Sequence, residues 1–365
     1  MNFSDSTTDI VEIRNTTAQV YQKPFGDEAV ILAGIIIFTF VTIGLTLNSL
    51  TIAVIRRTPQ LQNIFMSFIV SLCVSDLLSA TISPLFWYRR TLGFDVWNLP
   101  NFFCKLYWSV DILTSFSTSM HILNFAILRY ISIKHAPTFG RISMRMGNIW
   151  IATIWFIAFT CGFIPFWIFF GAEPGVERDR FSDATNAKWP ACTLELTWEK
   201  HYTLYTYIGY TMFLLVPMAG VIIISILIAK AVHSHSVSSV VTNDHAMKRR
   251  LRKEKQAVLQ LVLIVASFMF GYIPYVTYEI WSLTSSNPVA DYWFGLTEYF
   301  CLRFSECMNP IFYNVSSSKM RRHTKRFLKK LCRCFDAIKP STIVSNSFGP
   351  SSTSTSADGN NRMGV

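Results

Sequence analysis

Charge is scarce in this sequence. Asp, Glu, Lys and Arg make up 15% of its 365 residues, where a soluble chain carries about 25%. Apolar residues reach 51% and aromatics 15%. That balance excludes the two soluble domains that length alone would suggest. Long stretches carry almost no charge and short stretches between them carry many, as in a polytopic membrane protein. The eight Cys follow no regular spacing, which excludes a disulfide framework; most sit in apolar segments, where a buried thiol is ordinary. The seven His are scattered. His121 stands alone in an apolar run and reads as a packed or hydrogen-bonded helix residue. With no nucleophile–base set and no metal cluster, neither an enzyme nor a catalytic residue is expected. Residues 1–28 hold no apolar h-region, so the first apolar segment is expected to act as its own insertion signal. Matched internal repeats with broken helices would mark a transporter, and a filter-like loop a channel; neither is seen. No nucleic-acid partner is expected.

What is present is seven apolar runs, at residues 29–55, 64–88, 101–133, 147–170, 202–229, 258–283 and 292–315. Each is long enough to cross roughly 30 Å of hydrocarbon as a helix. The expected fold is therefore an all-α membrane protein, a seven-transmembrane helix bundle. Basic residues fix its orientation: Arg56 and Arg57, then Lys134, Arg141 and Arg145, then the run 248–255, and then the tail from Lys319 to Arg333. Arg89 and Arg90 are a local exception to that bias. The N-terminus is acidic and carries two sequons, at Asn2 and Asn15, so it is expected outside and glycosylated. The organisation follows: an extracellular N-terminus at 1–28, a seven-span domain at 29–315, an amphipathic membrane-surface helix at 316–334, and a Ser/Thr-rich, compositionally disordered cytoplasmic tail at 335–365. Cys332 and Cys334 lie in that basic amphipathic segment and are candidates for palmitoylation, so membrane lipid is an expected partner.

The polar residues inside these runs are costly and therefore informative. In chain order they include Gly44 and Asn48, Leu72 and Asp76, Cys104 and Arg129-Tyr130, Trp150, Pro217, Phe268 and Pro274, and Asn309-Pro310-Ile311-Phe312-Tyr313. In this order and spacing the chain resembles a rhodopsin-like G-protein-coupled receptor over about residues 29–331. The resemblance implies a plasma-membrane receptor that binds an extracellular ligand, an amine or a short peptide. It further implies activation of a heterotrimeric G protein through outward movement of span six. Arrestin and a receptor kinase are implied at the Ser/Thr-rich tail. A Cys104–Cys192 disulfide is implied, with Arg129, Tyr130, Asn309, Pro310 and Tyr313 in coupling. Pro165, Pro217, Pro274 and Pro310 each remove a backbone hydrogen bond and can kink their helices. The alternatives that stay open are a polytopic transporter and a seven-helix receptor that works without a ligand.

The departures from the family pattern carry information too. Leu128 stands where an acid usually precedes Arg129, so Glu254, about 30 Å before Pro274 along a helix, is the expected restraint on that arginine. Tyr272 stands for the usual Trp, and Ser225 for a usual Tyr. Asp111 lies about 10 Å deeper than Cys104, where amine receptors hold a ligand ammonium. Arg303 points into the same cavity by resemblance, so Asp111 either binds ligand or pairs with Arg303. Tyr275, Glu279, Glu298 and Tyr299 are further cavity candidates, with Trp281 and Phe300 as aromatic wall. Span five lacks the serines a catechol would need, and Arg303 replaces the lysine of retinal-binding pigments. No cofactor is expected beyond a sodium ion, implied near Asp76, Thr118, Ser305 and Asn309. Glu306 adds an unusual second carboxylate there. Two buried carboxylates repel, so a proton or a cation is expected between them. The other reading of Glu306 is a bond to a neighbouring helix's hydroxyl or to His121.

Overall fold

The computed structural model describes residues 23–176, 190–242, 245–282, 284 and 287–338. Among them seven long helices run in order. α1 is Asp27–Arg56, α2 is Ile64–Arg90 and α3 is Asn101–Lys134. α4 is Met144–Phe169. α5 runs as Glu199–Tyr210, Thr211–Leu215 and Val216–Thr242. α6 is His245–Ser282 and α7 is Pro288–Ser316. An eighth helix, α8, covers Ser318–Ile338.

The ends of these helices are written in the chain. Asp27 and Glu28 open α1 and Arg56 closes it, which complements the helix dipole. Asn63 caps α2 by accepting from the Met66 amide, and Ser143 caps α4 from Met146. Asn287 accepts from the Val289 and Ala290 amides ahead of Pro288, a capped start with proline at the first turn. Inside, α4 and α5 each contain a widened π-turn, Phe159–Phe163 and Thr211–Leu215. Each lies just ahead of a proline, Pro165 or Pro217, which leaves a carbonyl in the preceding turn without its amide.

Five of the helices are apolar and long enough to cross a membrane by composition: α1, α2, α4, and segments of α5 and α6. α3 and α7 are less apolar because they carry the polar residues of the interior. α3 touches α2, α4, α5 and α6 and buries Ser109, Asp111, Thr114, Ser117, Thr118 and His121. α1 touches both α2 and α7, closing the bundle. Large apolar side chains such as Ile31, Phe156, Leu204, Ile223 and Phe270 face outward, as lipid-facing positions do. α6 and α7 approach closely at Gly271, where an added Cβ would sit 2.8 Å from the Ser305 Cβ.

One end of the bundle carries the Cys104–Cys192 disulfide. A two-residue antiparallel pair flanks it, Phe170 opposite Leu194 and Gly171 opposite Thr193. Lys105 holds this loop from α3, donating to the Trp167 and Phe170 carbonyls and pairing with Glu195 at 3.2 Å. At the opposite end α5 and α6 are almost continuous. Both helices extend well past the expected runs, α5 to residue 242 and α6 from residue 245. α8 reaches residue 338, beyond the expected 334. Near its start Met320 is buried and Lys319 bonds the Gln60 carbonyl. Cys332 is exposed. The side chain of Cys334 and both sequons, Asn2 and Asn15, lie outside the described residues.

Candidate functional site: a charged column inside the bundle

Arg303 on α7 is the centre of the site. Its side chain is 2% exposed. Nη2 donates to Asp111 Oδ1 on α3 at 2.9 Å, and Nη1 donates to Glu306 Oε2, one turn along α7, also at 2.9 Å. The guanidinium lies over the Tyr299 ring, 4.5 Å from its centroid. Tyr299 stacks on Phe86 and donates to Ser83 Oγ. One cation thus joins two acids that the sequence places far apart, and the choice left open for Asp111 resolves to pairing. Three fixed, charge-assisted bonds or contacts of this kind make a planar guanidinium hard to move.

Glu306 is held a second time from α2: Ser79 Oγ donates to its carboxylate at 2.8 and 3.0 Å. The cation on Glu306 is thus the Arg303 guanidinium, which bonds Asp111 rather than Asp76 with its other amino group. Asp76 accepts from Asn309 Nδ2 at 3.2 Å, and its second oxygen has no partner. A cavity of about 10 Å³ lies here, lined by Gly44, Asn48, Asp76, Ser83, Arg303 and Glu306. Thr118 bonds Ser75 at 3.0 Å and Ser305 donates to the Ser267 carbonyl at 2.7 Å. Asp76 Oδ1 and Asn48 Oδ1 have no hydrogen-bond partner, and the Arg303 guanidinium lines the same cavity. His121 bonds Ser71 and Ser117 rather than Glu306, as its reading as a hydrogen-bonded helix residue expects. Ser71 also accepts from Trp155 Nε1 at 2.8 Å. Trp155 therefore ties α4 to the core through this bond; like Trp150 it is half-buried. The two lie five residues apart in an ungapped apolar run, and spacing within one sequence did not separate them.

Towards the disulfide end lie residues that sequence reasoning had set aside. Arg89 and Arg90 turn inward rather than serving topology. Arg89 donates to the Cys192 carbonyl at 2.7 Å and lies 4.4 Å over the Trp108 ring. Arg90 donates to Tyr278 Oη at 2.6 Å and pairs with Asp291 at 3.5 Å, so one side chain of α2 joins α6 and α7. It fits only because residue 295 is glycine: a Cβ there would overlap the guanidinium. A pair of arginines ending an apolar run was the available signal. Glu279 accepts from Tyr210 at 3.1 Å, joining α6 to α5. Tyr275 is buried between Tyr210 and Tyr272, with ring centroids 6.2 and 6.0 Å away. Tyr272 packs on Phe268 and reaches the Ser115 carbonyl at 3.5 Å. Glu298 is buried. Trp281 packs against Phe294, and Phe300 meets Phe40.

At the opposite end, Arg129 Nη2 donates to Gln260 Oε1 on α6 at 3.0 Å. Its guanidinium lies 4.0 Å from the Phe65 centroid and 5.3 Å from that of Phe125. Gln260 was not singled out in the sequence, where it is one polar residue in an apolar run. Glu254 lies six residues earlier on the same helix and is half-buried. Tyr130 packs against His135. Tyr313, after Pro310, is buried with no partner for its hydroxyl.

Similarity to known proteins agrees with this architecture. Residues 47–313 match the model of the seven-transmembrane receptor (rhodopsin family). Among similar curated proteins is a neuromedin U receptor homolog of Caenorhabditis elegans, 23% identical over 317 residues, covering 80% of this chain and 78% of that protein. The rat somatostatin receptor type 3 is 22% identical, covering 85% and 71%. The mouse thyrotropin-releasing hormone receptor is 22% identical, covering 89% and 85%. The chain is thus a multi-pass membrane protein and a receptor rather than an enzyme, and it belongs to the rhodopsin family of seven-transmembrane receptors.

Proposed function

We propose that this chain is a plasma-membrane receptor, N-terminus outside, that takes a peptide ligand at its disulfide end and activates a heterotrimeric G protein at the other. The observation that carries the reading is the contact between Arg129 and Gln260, one hydrogen bond from a guanidinium to a neutral amide that joins α3 to α6. Such a bond contributes about 1.5–3 kcal/mol, and parting it strands no carboxylate, so ligand binding need supply less energy than breaking a buried ion pair would take. Outward movement of α6 about Pro274 would then uncover Arg129 for the G protein. The relatives' ligands, neuromedin U, somatostatin and thyrotropin-releasing hormone, support a peptide. A simple amine would first have to displace Arg303 from Asp111. The same reading places carbohydrate on Asn2 and Asn15, acyl chains on Cys332 and Cys334, and receptor kinase and arrestin on the Ser/Thr-rich tail.

The test is nucleotide exchange in membranes holding the chain and an added G protein, screened against peptides. A stimulating peptide is expected, with the response lost in Arg129→Ala at unchanged surface expression. Unchanged exchange in Arg129→Ala would contradict the mechanism. Solute flux without exchange would favour the transporter.

A further inference from the structure

Each guanidinium near the disulfide end already has a partner. Arg303 is taken by Asp111 and Glu306. Arg90 is taken by Asp291 and Tyr278. Arg89 is taken by the Cys192 carbonyl and the Trp108 face. Two buried carboxylates remain with no cation within ion-pair distance among the described residues, Glu279 on α6 and Glu298 on α7.

They differ in how they are held. Glu279 has the Tyr210 hydroxyl on one oxygen. Glu298 is 4% exposed, and its Oε2 has no hydrogen-bond partner at all. It lies within electrostatic reach of Glu279 and Asp111, and of Arg90 and Arg303, which are already spent. An isolated carboxylate is among the most expensive groups to bury, and buried charges are as a rule paired. Among the described residues no cation lies within ion-pair distance of Glu298 and nothing bonds its Oε2.

From this we propose that Glu298, with Glu279 across from it, is the cation subsite of the ligand. It would receive a guanidinium or ammonium from a basic peptide side chain, between α6 and α7. Asp111, the acid whose depth suggested an amine site, does not perform this task because Arg303 occupies it. The inference rests on the receptor reading and narrows it to ligands bearing a basic residue. Tyr210 and Tyr275 border the subsite and offer the aromatic surface over which such a cation is further stabilised.

The probe is Nα-acetyl-L-argininamide, whose one charge is its guanidinium, with Nα-acetyl-L-citrullinamide as its neutral isostere. Thermal denaturation of the purified full chain in detergent is recorded against rising concentrations of each. The arginine amide is expected to raise Tm in a saturable way, and the citrulline amide is not. In Glu298→Gln the half-saturating concentration should rise at least about tenfold, as losing a buried charged partner requires, and Glu298→Asp should recover part of it. If Glu298→Gln fails to fold, Glu279→Gln is expected to show the same loss. Equal shifts with both amides, no shift in the native chain, or a response unchanged in the Gln variants would overturn the proposal. This readout is binding alone. Saturable binding without nucleotide exchange would leave the subsite standing and remove the coupling mechanism. Exchange driven by other ligands, without a shift, would remove the subsite and keep the receptor.

Discussion

Arg303 and Arg129 are both arginines held within the bundle, and they are held in opposite ways. Arg303 has a carboxylate on each amino group and an aromatic face beneath it. Arg129 has a neutral amide and two phenylalanine faces, and its Nε has no partner. A guanidinium between two buried carboxylates is released only by stranding charge. A guanidinium against an amide strands no carboxylate when it leaves and loses about 1.5–3 kcal/mol. The contrast divides the labour of the molecule. Arg303 fixes α3 to α7 and sets what a ligand meets, and Arg129 fixes α3 to α6 only as firmly as a switch permits.

The largest expected effect breaks the firm end. Arg303→Leu strands Asp111 and Glu306 and should cost about 3–5 kcal/mol, a fall in Tm of roughly 4–7 °C. Adding Asp111→Asn and Glu306→Gln to it should restore most of the loss. A single variant as stable as the native chain would show that the two arginines are held alike. Asp111→Asn alone sharpens the comparison, since Arg303 keeps Glu306. The charge-assisted bond it weakens contributes about 1.5–3 kcal/mol, so the fall in Tm should be visibly smaller than for Arg303→Leu. An equal fall would place the whole effect on Asp111.

Much of this was legible in the chain. The helices follow from runs of apolar residues bounded by polar ones, and the disulfide from the resemblance carried by Cys104. The acids and arginines stood out because charge in an apolar run is rare. Partnership was not legible. Asp111 and Arg303 are 192 residues apart, and only packing decides that the guanidinium reaches Asp111 and Glu306 together. Arg90 stood out only as an exception to the charge bias, with no partner to be read for it, although Gly295 is the small residue that lets it cross to α7. Gln260 was hidden by its neutrality. The rule that arginine seeks an acid pointed to Glu254, whereas the bond formed with Gln260 is to an amide on a neighbouring turn.

The claim that the soft end is the switch is tested most directly by basal nucleotide exchange in Gln260→Leu. Side-chain volume is nearly kept and the hydrogen bond to Arg129 is lost. At matched surface expression, ligand-free exchange should rise at least about tenfold, the equivalent of about 1.5 kcal/mol, with Tm little changed. Exchange that stays at the native level or falls would contradict the account.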